Sequence, residues 1–421
     1  MVLATATVFS GFTLLKQNHH NLEAAELPGA TVLAFGPDNV LFVGDSKNGV
    51  VHAIPTEAEE VQDPIPFNLR DFDRMLAKEL DMDSRDLIIN DLKIHPLSQE
   101  AYVAVKKGHA PEAPAMIAIV SPMSGAIRFL EVKQPEATSV HIKNPASEEL
   151  KFWRDIPAST LTITDIDYYD GHIYVAGLSN SEFASTLRKI TYPFSEKQEA
   201  VQSIEIYHAV HTQMETRAPI RTMTIAEVAG TPTLIASYTC TPLVTIPLSE
   251  IAEGNHVKGK TIAELGYGNT PIDMITYMGQ EMDGSFDQKL LITNKHRSGS
   301  LMSMAAVSKA MTEGEGMEGM TVSAPTGTAG LEITSSPTSS VLHIDNQNPM
   351  MVTTLKRNLE TGGLELVSEL KGVFLRLSEF VSEYDFPSYR YGEKQAFTKQ
   401  FHDMIKPMEG YPELVSENEE K

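Results

Sequence analysis

Asp91, Asp165, Asp273 and Glu332 stand at the same place in short segments that otherwise read alike, and Arg221 and Ala30 hold that place in two more. Carboxylates that converge raise one another's pKa, so a group of four needs relief from a guanidinium, a bound cation or a proton. Calcium suits oxygen-only donors, and Asn90 and Thr164, beside two of the aspartates, would add neutral ligands or supporting donors. Arg221 suits an anion, or negative charge developing in a hydrolytic transition state. The other reading is architectural: an Asp ahead of a strand accepts backbone N–H bonds and ties one module to the next. Every one of these readings needs modules standing around a common axis.

The segments are GATVLAFGPDNVLFVGD (29–45), INDLKIHPLSQEAYVAV (89–105), ITDIDYYDGHIYVAG (163–177), PIRTMTIAEVAGTPTLIASY (219–238), PIDMITYMGQ with KLLITN (271–294) and GLEITSSPTSSVLHID (330–345). Each reads as a hairpin of two alternating apolar runs. Pro37-Asp38-Asn39, Pro96-Leu97-Ser98, Asp170-Gly171 and Ser336-Pro337-Thr338 fall where a turn needs tolerant residues. Starts lie about 50 to 75 residues apart, leaving room for two further strands such as GVVHAIP (49–55) or LVTIPL with TIAELGY. Four strands per repeat describe a propeller blade. Apolar spacing is two along most of the chain, and only DFDRMLAKEL (71–80) and EKQAFTKQFHDMI (393–405) read as helix.

The first repeat, LAFGPDNVLFVGDSKNGVVHAI, resembles a blade of the NHL, SMP-30 and quinoprotein-like β-propeller superfamily, with its apolar strand, Pro-Asp turn and FVGD-type strand. The likeness is to a repeat type and is good in the first three repeats; the fifth carries the insertion QEMDGSFDQ. It implies an all-β propeller of six four-stranded blades, or seven if LKFWRDI (150–156) or the terminal segments hold another unit. The expected organisation is an N-terminal segment (1–28), a propeller (29–381), and a C-terminal helix with an acidic tail (382–421). TATVFSGFTLLK (5–16) and VFLRLSEFV (373–381) would pair to close the ring. Glycine-rich GEGMEGMTVSAPTGTAG (314–330) reads as a loop. Lactonase-type members of the superfamily hold a channel Ca²⁺ that polarises a carbonyl oxygen, but with Glu and paired Asn, whereas this ring offers aspartates and Arg221. A quinone-cofactor dehydrogenase is compatible with the fold, without a motif for it.

Composition narrows the partners. With 34 basic against 56 acidic residues the formal charge is −22, which opposes nucleic-acid binding. Val2–Leu15 is too short and too polar to span a bilayer and has no preceding Lys or Arg, so it reads as a first strand or the remnant of an export leader. The expected compartment is periplasmic or extracellular, with the cytoplasm also open. Cys240, the one cysteine, reads as a buried thiol, since an intramolecular disulfide or a Cys-based cluster needs a second. Trp153 reads as a core or inter-blade residue, or as a ligand anchor. Among 19 methionines, Met302, Met304, Met317 and Met320 suit a soft ion such as Cu(I), or plain core packing with Met302 and Met304 on one strand face. Scattered histidines suggest no triad, and G-x-S-x-G, H-E-x-x-H and phosphate-binding glycine loops are absent. The leading functional reading is a binding or interaction protein presenting an acidic channel mouth to a small ligand or protein. The alternatives are a divalent-metal hydrolase of lactone or ester type, with Asp91, Asp165, Asp273 and Glu332 as ligands, and a periplasmic copper-handling protein.

Overall fold

In a computed structural model the described residues run from Leu27 to Lys371, apart from 28, 62–64, 111–112, 133–136, 153–155, 196–198, 252–255, 267–268, 281–283, 295–298, 323–327, 337–339 and 359–360. The strands expected at 5–16 and 373–381, the helix over 393–405, the acidic tail and Trp153 lie outside them. Among the described residues no helix is long and apolar enough to cross a membrane.

The alternating segments become antiparallel hairpins. Their first strands are β1 (Ala30–Phe35), β2 (Leu87–Ile94), β3 (Asp165–Tyr169), β4 (Ile220–Val228), β5 (Pro271–Gln280) and β6 (Val341–Asn346). Those of β1, β2, β5 and β6 each lead a four-stranded sheet. The strands led by β3 and β4 share a ten-stranded sheet, because Glu199–His208 pairs in parallel with His256–Glu264, Ser203 opposite His256 through Ile206 opposite Gly259. Expected turn residues do the work assigned to them: Asp38 and Asn39 (φ 53° and 61°) and Asp170 and Gly171 (φ 43° and 76°) take the left-handed region that Asn, Asp and Gly tolerate best.

The last hairpin differs from expectation. Val341–Asn346 pairs with Met351–Arg357, and Thr334–Ser336 is instead the outer strand of the β5 sheet. The turn lies at Asn348, whose side-chain oxygen accepts the N–H of Met350 and Met351 at 2.9 Å; such Asx turns compete well with Pro-Ser turns for the reversal. Helix α1 (Phe72–Glu79) forms as read. Helix α2 (Met304–Thr312) was not foreseen: Ser303 caps it by accepting the Ala305 N–H, so Met302 and Met304 do not share a strand face.

The sheets have a propeller-like arrangement. β1 packs on β2 and β3, β3 on β4, β4 on β5, β5 on β6, and β6 on β2. Each junction is filled by its own apolar cluster: Leu33, Tyr102 and Ile117 between the β1 and β2 sheets, Phe42, Ile163 and Ile173 between β1 and β3, Leu92, Val103 and Leu355 between β2 and β6. Spatial order is therefore not chain order. After Val50–Pro55 the chain crosses to lay Asn68–Leu69 against Leu364–Leu370, builds the β2 sheet between those of β6 and β1, and returns to add Thr138–His141 to Val50–Pro55.

Candidate functional site

A first strand of such a sheet has a free edge, and every second N–H on that edge lacks a ladder partner. Carboxylates from the neighbouring strand supply one. Asp91 on β2 accepts the Leu33 N–H of β1 at 2.7 Å. Asp165 and Asp167 on β3 accept Met223 and Ile225 N–H of β4, both at 2.7 Å. Asp273 on β5 accepts Ile344 N–H of β6 at 3.1 Å, and Asp345 on β6 accepts Ile94 N–H of β2 at 2.7 Å. All point the same way around the cycle, each to the next strand. Asn90 and Thr164 reinforce the same junctions, donating to the carbonyls of Ala30 and Ile220. Between β1 and β3 the Ser46 hydroxyl serves instead, accepting from Ile163 N–H at 3.0 Å and donating to its carbonyl.

The architectural reading of the aspartates therefore describes what Asp91, Asp165 and Asp273 do, and their approach also encloses a cavity of about 140 Å³. Asn90, Asp91, Thr164, Asp165, Arg221 and Asp273 line it together with His343. Glu332 does not: it is exposed, in the segment leading to the outer strand of the β5 sheet. The misplaced hairpin explains this, because the sixth first strand begins at Val341. Arg221 reaches the cavity one step out of the assumed alignment. Pairing registers slip at Ile89/Asp91, Ile220/Thr222 and Val341/His343, bulges that put one extra residue into the strand. Arg221 is thus the counterpart of Asn90, and the counterparts of Asp91 are Thr222 and His343.

Cations sit among these carboxylates. His343 Nδ1 lies 2.9 Å from Asp273 and 3.8 Å from Asp91, and Lys93 Nζ lies 3.8 Å from Asp273. Burial pushes the Asp165 carboxyl up to about 8, and pushes those of Asp91 and Asp167 to about 6, with Lys93 and backbone donors pulling the other way. Burial acts on Asp273 too, but Lys93, His343 and the Ile344 N–H outweigh it and hold this carboxyl below its ordinary value. Burial would strip Lys93 of its proton, and the surrounding Asp273, Asp91, Asp345 and Asp165 instead hold it well above the ordinary value. For Arg221 burial lowers the pKa against the pull of Asp165. Among the described residues its guanidinium makes no ion pair or hydrogen bond.

His343, Lys93, Asp167 and Asp345 were missed from the sequence although a signal existed. Asp91-Leu-Lys93, Asp165-Ile-Asp167 and His343-Ile-Asp345 repeat polar residues at a spacing of two on buried strands, which puts both on one face. The methionines separate. Met302 and Met304 are buried among Leu290, Ile292 and Val307, Met317 lies with Tyr207 and Ala209, and Met320 is exposed. Packing accounts for the first three. Cys240 is part-buried with φ 84°.

Neither a protein-family model nor a curated protein sequence matches the chain. Solved structures similar to it are β-propeller proteins. Drosophila Semaphorin 1b, extracellular domains 1–2, is 8% identical over 86% of this chain and 92% of that one, at a TM-score of 0.34. Virginiamycin B lyase from Staphylococcus aureus is 9% identical over 82% and 95%, at a TM-score of 0.33.

Proposed function

We propose that the chain is a six-bladed β-propeller binding protein whose channel-mouth cavity takes a small ligand by an anionic group held against Arg221. The cycle of first strands, each with its own inter-sheet core, supports counting the ten-stranded sheet as two blades joined at their rims. One observation carries the ligand reading: Arg221, half-buried, lines the cavity without an ion pair or hydrogen bond among the described residues, and a partly desolvated guanidinium left so is costly until something pairs with it. Asp165 does not neutralise it, because a carboxyl pushed up to about 8 is largely protonated at pH 7; it would donate to the same ligand. Asn90 and Thr164 bond to backbone carbonyls and support the frame rather than the ligand. The test is a thermal-shift screen of small carboxylates, phosphates and sulfonates, followed by calorimetry on any hit. Binding should weaken about 10- to 100-fold in Arg221→Gln, the worth of a charge-assisted hydrogen bond. A panel without a hit, or a hit that binds Arg221→Gln as well as wild type, refutes the assignment.

A second reading has one observation behind it. Asp91, Asp273 and His343 offer ligand atoms within 4.8 Å of one another, a set that would hold a divalent ion for metal-assisted hydrolysis with Asp165 as general acid. Calcium is the less favoured ion, since one donor is nitrogen and the Lys93 ammonium stands 3.8 Å from Asp273. Metal analysis, then a melt with EDTA and add-back of Zn²⁺, Mn²⁺ or Ca²⁺, tests it; absence of both metal and shift removes it.

A further inference from the structure

A second group of titratable side chains lies away from the channel, where the strands led by β3 and β4 join. Glu199–His208 ends at His208, turns through Ala209–Thr212 and returns as Gln213–Glu215. This hairpin brings His208, His211 and Glu215 together, their ligand atoms within 4.8 Å of one another. His208 Nδ1 is 3.1 Å from one Glu215 oxygen, and His211 Nδ1 is 2.5 Å from the other.

The second ring nitrogen of His208 is fixed by the neighbouring blade. The Thr241 hydroxyl donates to Glu264, so its oxygen is left to accept from His208 Nε2 at 2.9 Å. Glu264 also lies 3.8 Å from that nitrogen, and its other oxygen accepts the Ala209 N–H at 2.7 Å. A histidine whose far nitrogen donates to a hydroxyl and carboxylate pair can give up the proton of its near nitrogen and ligate a metal through it, with the outer-shell support that metal-ligating histidines use. Independently, Nδ1 of His208 is a buried atom with no hydrogen bond of acceptable geometry, on a side chain only 1% exposed.

We infer that His208, His211 and Glu215 form a site for a divalent transition-metal ion. Donors bound to a tetrahedral Zn²⁺ at about 2.0–2.1 Å stand roughly 3.3 Å apart. The His208–Glu215 separation is already close to that. His211, half exposed on its turn, has only to move outward. Imidazole and carboxylate donors suit zinc, nickel or copper, not calcium. Three protein ligands leave a fourth position for water. Seated there, the ion would tie the return strand Gln213–Glu215 to the end of Glu199–His208. This site is separate from the channel mouth and stands or falls without it.

Full-length protein stripped with EDTA and dialysed is titrated with Zn²⁺ by calorimetry, with a thermal melt at each end point. Wild type should bind one equivalent at this site and melt higher with zinc. His211→Ala removes a half-exposed side chain and should fold, yet weaken that binding about tenfold or more and lose the thermal gain. Glu215→Gln should do the same. His343→Gln, at the channel, should leave it intact. No zinc binding by wild type, as expected if the group is only a buried imidazolium–carboxylate pair, overturns the inference. So does binding unchanged in His211→Ala, which would put the ion elsewhere.

Discussion

Asp345 closes the cycle of first strands across 251 residues of sequence, and removing its carboxylate tests whether such bonds hold the sheets together. Its two oxygens accept Ile94 N–H at 2.7 Å and Asn346 N–H at 2.9 Å. In Asp345→Ala the Ile94 amide, in a residue 4% exposed, loses its partner on a free strand edge. An orphaned buried donor costs about 1–3 kcal/mol, and the lost bonds are charge-assisted. Part of this is returned, because a buried carboxylate no longer has to be desolvated. The balance is a loss of about 2 kcal/mol, and about 1 kcal/mol for Asp345→Asn, which keeps one acceptor. Urea unfolding with a slope of about 3 kcal/mol/M turns the larger figure into a midpoint lower by about 0.7 M. Hydrogen exchange supplies the local readout, since Ile94 should lose protection while amides in the β4 hairpin keep theirs. An unchanged midpoint together with an unchanged Ile94 exchange rate would refute the stitching argument.

Three further outcomes follow from the same geometry. Because Asp165, Asp91 and Asp167 are raised by burial to about 8, 6 and 6, the folded chain holds their protons more tightly than the unfolded chain with its ordinary value near 3.8. Their contribution is then fully present below about pH 4 and is lost as pH rises through 6 and 8. The melting temperature should fall by several degrees from pH 5 to pH 9, and Asp165→Asn should flatten the upper part of that slope; a wild-type midpoint that climbs across this range contradicts it. Gly177→Ala would put a methyl carbon 2.0 Å from the Thr162 carbonyl oxygen, so backbone must move and stability should drop by about 3 kcal/mol, readable as a lower melting temperature. Met302→Leu and Met304→Leu conserve volume in the core beside α2 and should cost under about 1.5 kcal/mol each. Their Cu(I) titration should match that of wild type, and a loss of copper binding in the pair would restore the thioether reading.

Hairpins were legible wherever a two-residue alternation met a committed turn, as at Asp170-Gly171. The pattern misleads at 330–345 because Ser336-Pro337-Thr338 has turn composition while the hairpin reverses at Asn348, in a run without obvious periodicity. Spatial order was not legible at all. It depends on Asn68–Leu69 and Thr138–His141, strands too short to carry a pattern. The converging aspartates could be read because each sits at the start of an apolar run. Lys93 and His343 could not be placed by the same rule, since a charged or aromatic side chain inside such a run is ordinarily taken to face outward. Arg221 was found by an alignment that a bulge shifts by one residue, and it reaches the cavity all the same.

The crossing path of the chain has a consequence for biosynthesis. When the ribosome has delivered residues through Val50–Pro55, that strand has no outer neighbour until Thr138–His141 emerges, and Asn68–Leu69 waits for Leu364–Leu370, almost three hundred residues later. The β2 sheet must meanwhile stand with one flank uncovered. Completion of the cycle of sheets is thus a late event in the life of the nascent polypeptide, and fragments that stop before Val341 lack the strand that closes it.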